Sequence, residues 1–508
     1  MTESNITDEG ASHLQEPLSK RQKYHDTPKK TLIINAFLMG SAGNQTINSW
    51  RNEDDKSSDL FEDPSYWTDL AKLLEKGKFN AVFFADVLGP YDVFKGPGNL
   101  EPVAIAGSQF PVSDPSYFIP LMASVTKNLA FGLTISTISE QPYHLARRLG
   151  TLDLITNGRV GWNIVTSYLQ SASRNLLGAD LPSNSERYER AEEFVDVVYK
   201  LFLSSWRDGA VLKNKQLGVF TDPKGLRHIN HKGKHFTVPG PSFTQPSQQK
   251  LPVIIQAGAS PKGKELAARN AEVIFFSHLT KEALKAAVED VKTIAKTKFN
   301  RDVSKIKFLC LATVIIGKTH EEAWEKYEEK KKLADNDDAA AAMFSGWTGV
   351  DLSVYGEDDV LDSKEHHAIA SNIKKFKDAD PSVKKWTKRA IIDKIKVSGS
   401  GVIFVGTAEE VADAIEDWVT HSDIDGFNFT ATSIPTSFED IINELLPVLR
   451  KRGLIQQDYP TSPNGHLTFR EQLFGSKFLD PTHTAYNLRW HENESKEEYE
   501  SRIAESVK

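Results

Sequence analysis

Polar residues at the ends of apolar runs are the first candidates for chemistry in this chain. Asp86 closes Phe83-Phe84-Ala85-Asp86, Thr137 follows the run 130–136, and Asn163, Ser167 and Tyr168 lie in and after Gly161-Trp162-Asn163-Ile164-Val165-Thr166. A carboxylate, an amide and hydroxyls converging on one mouth can hydrogen-bond the polar edge of a ring. The stretch Val253-Ile254-Ile255-Gln256-Ala257-Gly258-Ala259-Ser260-Pro261 runs from an apolar strand through a glycine turn into a helix start. Ser260 suits the N-cap, and Pro261 suits the first helical position, where a missing N–H costs nothing. The small residues Ala257, Gly258, Ala259 and Ser260 let a ligand approach the backbone, and free N–H groups at a positive helix end attract an anion, a phosphate first of all. His144, in Gln141-Pro142-Tyr143-His144, is a candidate base or hydrogen-bond donor to a ring. The same residue types also suit plainer work: Asp86 and Thr137 could cap the following helices, and His144 could pack at a helix start.

Other motifs narrow the chemistry. His228, His231 and His235 have spacings open to a metal, but no cysteine or carboxylate stands near them in sequence, so no metal is expected. Gly96-Pro97-Gly98 and Gly399-Ser400-Gly401 both lack the third glycine of a dinucleotide fingerprint, and there is no P-loop.

The elements that must position these residues follow from periodicity. Continuous apolar runs at 31–37, 81–85, 130–136, 160–166, 253–256, 273–276, 308–316 and 426–430 read as parallel strands covered on both sides. Helical patterns between them start at Asp63-Pro64 and Asp114-Pro115 and run through 186–202, 319–333 and 407–420. Eight alternations predict an α/β fold, a (β/α)8 TIM barrel whose active site lies at the C-terminal ends of the strands, with an open doubly wound sheet as the alternative. Long insertions at about 40–62, 204–250 and 334–400 are expected to wall that face.

Residues 1–28 are polar and read as a disordered tail, 29–475 as the barrel, and 476–508 as a C-terminal extension ending in a surface helix. The 508 residues are 39% hydrophobic with a net charge of -7, which gives no electrostatic case for nucleic acid or an anionic membrane. The lone Cys310 sits in an apolar run and reads as a core thiol. No apolar segment approaches the roughly 20 residues of a membrane span, so an intracellular, cytoplasmic protein is expected.

Taken together, Phe83 to Asp86, Gly158 to Ser167, Glu186-Arg187-Tyr188-Glu189-Arg190, Gln256 to Ser260, Gly346 to Ser353, Asp425-Gly426-Phe427-Asn428, Leu445 to Gly453 and Thr468 to Leu473 give a pattern. It resembles the bacterial-luciferase-like flavin monooxygenases, in the branch of the nitrilotriacetate, dibenzothiophene sulfone and long-chain alkane monooxygenases. The resemblance spans about residues 30–475 in order. It implies a flavin mononucleotide (FMN) site in which Asp86 and Thr137 flank the ring, Ser167 and Tyr168 follow the fourth strand, Tyr188 approaches from the next helix, and Ala257 to Ser260 hold the phosphate. Two positions depart from the family. Asn184 replaces a histidine often found four residues before Tyr188, and Tyr168 stands where alkane-oxidising members carry a histidine.

What the resemblance implies is a two-component monooxygenase: reduced FMN (FMNH2) from a separate flavin reductase, O2 and a small organic substrate, in a homodimer. Asn163 and His144 are then the candidate catalytic groups. A deazaflavin-dependent oxidoreductase on the same barrel and a non-catalytic flavin-binding protein remain the rival readings.

Overall fold

The computed structural model describes residues 30–506 apart from 43, 259, 362–366 and 463–464. The expected tail at 1–28 and Ala259 of the glycine turn therefore lie outside the described residues.

Eight parallel strands close a barrel. They are β1 (Ile33–Met39), β2 (Ala81–Ala85), β3 (Ala130–Ser136), β4 (Val160–Val165), β5 (Val253–Gln256), β6 (Val273–Phe276), β7 (Lys307–Ile316) and β9 (Gly426–Thr430). Neighbours pair in chain order from β1 to β7, and β9 closes the ring between β7 and β1. An additional strand, β8 (Val402–Gly406), pairs with the outer half of β7 beyond the end of β6. All eight barrel strands coincide with the apolar runs; β8 does not figure among those runs.

The strands form where they do because both of their faces are buried. Along β4, Trp162 faces outward, packing on Phe194 of α2 (Asn184–Ser204) with ring centroids 6.2 Å apart. Its neighbours Gly161 and Asn163 face inward by the two-residue period. Inside, Phe37, Phe83 and Phe275 from β1, β2 and β6 meet at centroid distances of 4.7–6.2 Å. Gly132 leaves the room they need, since a Cβ there would stand 3.1 Å from the Phe83 ring. Phe469 closes the N-terminal end of the barrel beneath this layer.

The insertions divide between the two ends. Segments from 40–62 and 334–400 build a second hydrophobic core with Tyr91, Phe94 and Leu169, which follow β2 and β4 and so stand over the C-terminal mouth. Helix α4 (Asp337–Thr348) carries Ala339 to Phe344 into that core. Gly346 is required there: a Cβ would fall 2.1 Å from the Tyr91 ring. The 204–250 segment does not join this wall, contrary to the expectation that all three insertions stand at that face. Gln249 Nε2 donates to Val160 O at 2.8 Å, at the first residue of β4, which places the segment at the N-terminal end. The physical reason is its position after helix α2 rather than after a strand. The C-terminal extension lies against it through an Arg489–Asp208 ion pair of 2.7 Å, and its helix, Lys496–Ser506, buries Tyr499 against Trp490.

Candidate active site

The mouth has an apolar floor and polar walls. Above the three phenylalanines, Asn163 donates to Thr134 Oγ1 at 2.8 Å, and Thr134 donates to Phe84 O at 2.7 Å. Both residues are buried, yet Asn163 Oδ1 has no partner. Across the mouth, Asn44 donates to Phe37 O (2.9 Å) and Thr430 Oγ1 (3.2 Å), and its Oδ1 is likewise unpaired. A buried acceptor left unpaired costs about 1–3 kcal/mol. A polar, flat ligand resting on the phenylalanine layer would offset that cost. Beyond the strand ends, Ser167 has φ +60°, a conformation uncommon outside glycine, and Thr137 is fully buried with its N–H donating to Val165 O at 2.9 Å.

Asp86 stands half-buried at the end of β2, lining a cavity of about 310 Å³ with Gln109 and Asp114. Burial, then the negative charge of Asp114, pushes its carboxyl up to about 7, against the Val87 N–H and Arg148, which act the other way. A carboxyl poised there holds or releases a proton near neutrality.

The glycine turn is built as its residue types require. Ser260 caps α3 (Pro261–Asn270), with its Oγ accepting from Gly263 N at 3.0 Å, and Pro261 opens the helix. The cap leaves the Lys262 N–H as a first-turn donor without an intrahelical acceptor. Tyr188 lies one turn after the exposed Asn184 on α2, and its hydroxyl stands 3.3 Å from Ser260 Oγ. Lys262 Nζ reaches Ser185 Oγ at 2.8 Å, so the first turns of the two helices meet at the cradle. Gly258 is needed for a different reason from the one its position predicts. A Cβ there would stand 2.9 Å from the Gly263 carbonyl, so the helix backbone fills that space and no ligand is needed to explain the glycine.

Two predicted residues sit apart from this layer. Tyr168 is 45% exposed, and its hydroxyl meets that of Tyr91 at 3.0 Å. Tyr91 in turn donates to Gln109 Oε1 (3.0 Å) and accepts from Trp347 Nε1 (3.2 Å), so Tyr168 belongs to the wall supplied by the insertions. The His144 side chain is 61% exposed on α1 (Pro142–Ile155), its Nδ1 lies 2.8 Å from Glu140 Oε2, and it lines a groove on the outside of the barrel with Tyr117, Leu133 and Ile135. The structure does not bring it to the polar mouth. His231 and His235 do have carboxylates beside them, Glu193 at 3.0 Å and Glu189 at 3.4 Å, supplied by α2 and invisible in the local sequence. Among the described residues no group of three such side chains is arranged to hold a metal. No helix among them is long and apolar enough to cross a membrane.

Sequence reasoning missed Thr134, Asn44, Tyr91, Gln109 and Trp347. Thr134 shares the inward parity of Ser136 on β3, a signal that was available; the others come from loops without periodicity.

Residues 45–422 match the family of luciferase-like monooxygenases. The dimethyl-sulfide monooxygenase of Hyphomicrobium sulfonivorans is 39% identical over 91% of this chain and 94% of its own. A crystal structure from the same organism superposes with a TM-score of 0.83 at 38% identity, covering 91% of this chain and 96% of that one. The long-chain alkane monooxygenase of Geobacillus thermodenitrificans (strain NG80-2) is 41% identical over 88% of this chain and 94% of its own. A riboflavin lyase solved with modified FMN and riboflavin superposes with a TM-score of 0.81 at 30% identity, covering 91% and 100% of the two chains. The closed barrel, the polar mouth over its aromatic floor and these matches lead to one assignment: the chain belongs to the luciferase-like monooxygenase family.

Proposed function

We propose that this protein is the oxygenase of a two-component system, which takes reduced FMN from a separate reductase and uses O2 to oxidise a small organic substrate. The observation that carries the reading is the pair of unpaired amide oxygens, on Asn163 and Asn44, facing the mouth above the Phe37, Phe83 and Phe275 layer. An isoalloxazine ring matches this arrangement, with an apolar face for the phenylalanines and N–H edges for the acceptors. The relatives support it, being monooxygenases by name, with FMN in the solved riboflavin lyase.

In this reading Ala257, Gly258, Ala259, Ser260 and the Lys262 N–H hold the phosphate at the start of α3, with Tyr188 and Asn184 closing it from α2. Asp86, Thr137, Asn163 and Ser167 surround the ring, and Tyr168 stands at its rim. Bound reduced flavin supplies the electrons for oxygen activation. Asp86 keeps a proton available at the ring's edge, and the second core over the mouth excludes water from the reacting centre. The exposed groove holding Tyr117 and Ile155, 74% and 57% accessible, is where a second copy would pack to form a homodimer.

The test is oxygen consumption by the purified protein with reduced FMN generated by an unrelated flavin reductase, in the presence of thioether, amine and alkane substrates. The reading requires product formation that depends on both the reductase and O2. Rapid reduction of bound flavin by NADH or NADPH without the reductase would overturn the two-component assignment. Turnover that ignores O2 would favour the deazaflavin type of chemistry.

A further inference from the structure

The hydrogens in one wall of the mouth have a fixed order. Gln109 Nε2 lies 2.7 Å from the Asn44 carbonyl, which only accepts, so the amide nitrogen stands at that end and Gln109 Oε1 at the other. Oε1 also only accepts, and its partner is the Tyr91 hydroxyl at 3.0 Å. Tyr91 therefore gives its single hydrogen to Gln109. Trp347, on α4, can only donate, and its Nε1 reaches the same hydroxyl at 3.2 Å. What Tyr91 has left is acceptor capacity, so the Tyr168 hydroxyl, 3.0 Å away, meets it as the donor.

The opposite order is the worse one. It would take the hydrogen away from Gln109 Oε1, on a buried residue beside the buried Tyr91. A buried acceptor deprived of its donor is costly, whereas the half-exposed Tyr168 loses little by turning its hydrogen inward. Gln109 is also held at φ +49°, an uncommon conformation for a residue with a side chain, so the fold keeps this amide in place against a local cost.

The order ends where a ligand can reach it. Asn44 donates to Phe37 O and Thr430 Oγ1 towards the ends of β1 and β9, Gln109 lines the cavity that holds Asp86, and Tyr168 follows the end of β4 by three residues. The run of hydrogen bonds thus follows the rim of the mouth from β1 past β2 to β4. Its last oxygen, on Tyr168, has committed its hydrogen to Tyr91 and keeps lone pairs to offer.

We propose that Tyr168 is a hydrogen-bond acceptor of fixed direction at the mouth, and that the substrate to be oxidised presents an N–H or O–H group to it. The oxidation rests on the flavin reading of the mouth; the hydrogen order does not. A ring N–H of the flavin has the same chemistry, but the Asn163 and Asn44 oxygens serve it, and Tyr168 belongs to the wall supplied by the insertions. A substrate end that can only accept would set oxygen against oxygen at this point, which selects against it.

Matched probes test this in titrations of the full-length protein, with and without oxidised FMN. 3-(Methylthio)propan-1-ol carries a donor, methyl butyl sulfide has the same number of heavy atoms with an apolar end, and 4-(methylthio)butan-2-one ends in an acceptor alone. Tyr168→Phe is expected to weaken the alcohol about fivefold and to leave the other two within about twofold. An equal loss for the ketone, or no loss for the alcohol, would overturn the proposal. Gln109→Met removes the oxygen that takes the Tyr91 hydrogen, so Tyr91 can donate to Tyr168 and the Tyr168 hydrogen turns outward. In that background Tyr168→Phe should weaken the ketone instead; a loss confined to the alcohol would contradict the fixed order. Neutron diffraction from a crystal of the wild-type chain reads the order without any ligand: the Tyr91 hydrogen must lie towards Gln109 and that of Tyr168 towards Tyr91, and the reverse placement would sink the proposal. If Tyr168→Phe weakens FMN and riboflavin alike and leaves the three probes in the same ratio, the donor is on the ring and the substrate assignment fails. A Tyr168-dependent preference for the alcohol in a protein that binds no FMN would instead remove the flavin reading and leave the acceptor standing.

Discussion

Two sets of buried polar groups, one at each end of the barrel, differ in how fully their atoms are used. At the N-terminal end, Arg470 is 1% exposed and its guanidinium is fully used: it meets both oxygens of Glu272 (2.6 and 2.9 Å) and the carbonyls of Gln249, Leu251, Pro252 and Lys477. Arg159 is used as completely, on the carbonyls of Ala123, Leu129 and Thr156 and on Thr126 Oγ1. At the C-terminal mouth, by contrast, Asn44, Asn163 and His278 each leave a buried atom unpaired, and Asp86 is held near its neutral form. In a barrel of this kind the first pattern marks stability and the second marks work. The hydrogen bonds of Arg470 and Arg159 fix the fold, whereas the unpaired atoms of Asn44, Asn163 and His278 leave room for a further partner.

Substitutions at the two ends should therefore separate stability from binding. The largest effect is expected for Glu272→Ala, which leaves Arg470 buried without its carboxylate and should cost about 3–5 kcal/mol in denaturant unfolding while the FMN affinity of the folded fraction is unchanged. A parallel loss of FMN affinity would blur the division. Asn163→Leu, of similar size at the other end, is expected to leave the melting temperature within about 2 °C and to weaken FMN about tenfold in an equilibrium titration. If it chiefly destabilises the fold, Asn163 is a structural residue. A smaller effect is expected for Tyr188→Phe: about threefold weaker FMN with riboflavin unchanged, since the hydroxyl lies at Ser260 and away from the ring. Equal losses for both ligands would move the phosphate elsewhere. Gly258 is a poor probe of the same point, because any side chain there meets the Gly263 backbone.

The smallest effect concerns Asp86. Its folded pKa is raised to about 7, so the stability it contributes is complete below the unfolded value near 4 and is lost as pH rises through 7. Asp86→Asn escapes that loss. The variant's melting temperature relative to the wild type should rise by about 2 °C between pH 4 and pH 8, a modest figure because the group is only half-buried. A flat difference would mean that the Asp86 carboxyl has the same pKa in the folded and unfolded protein.

Much of this arrangement is legible in the sequence because barrel strands buried on both faces are continuous apolar runs. Val160 to Val165 and Val273 to Phe276 needed no partner information to be recognised, and the Ser260-Pro261 cap is a local signal that the helix obeys. What escaped reading depends on contacts distant in sequence. Glu193 meets His231 across 38 positions, and Tyr91 meets Trp347 across 256. The placement of 204–250 was misread because length marks an insertion without marking the end of the barrel from which it emerges. His144 shows a similar dependence: residue type and a place after β3 suit a base, while its contact with Glu140 on an exposed helix face could only be read from the structure. The short β8, set just after Gly399 and Gly401, was hidden by the long insertion before it.

The most direct test of the account is a crystal structure of the full chain soaked with FMN. The account predicts the isoalloxazine ring over Phe37, Phe83 and Phe275, ring N–H groups on the Asn163 or Asn44 amide oxygen, and the phosphate at the first turn of α3 beside Ser260 and Tyr188. A flavin bound outside the mouth, or a ring in the mouth with both amide oxygens still unpaired, would contradict it.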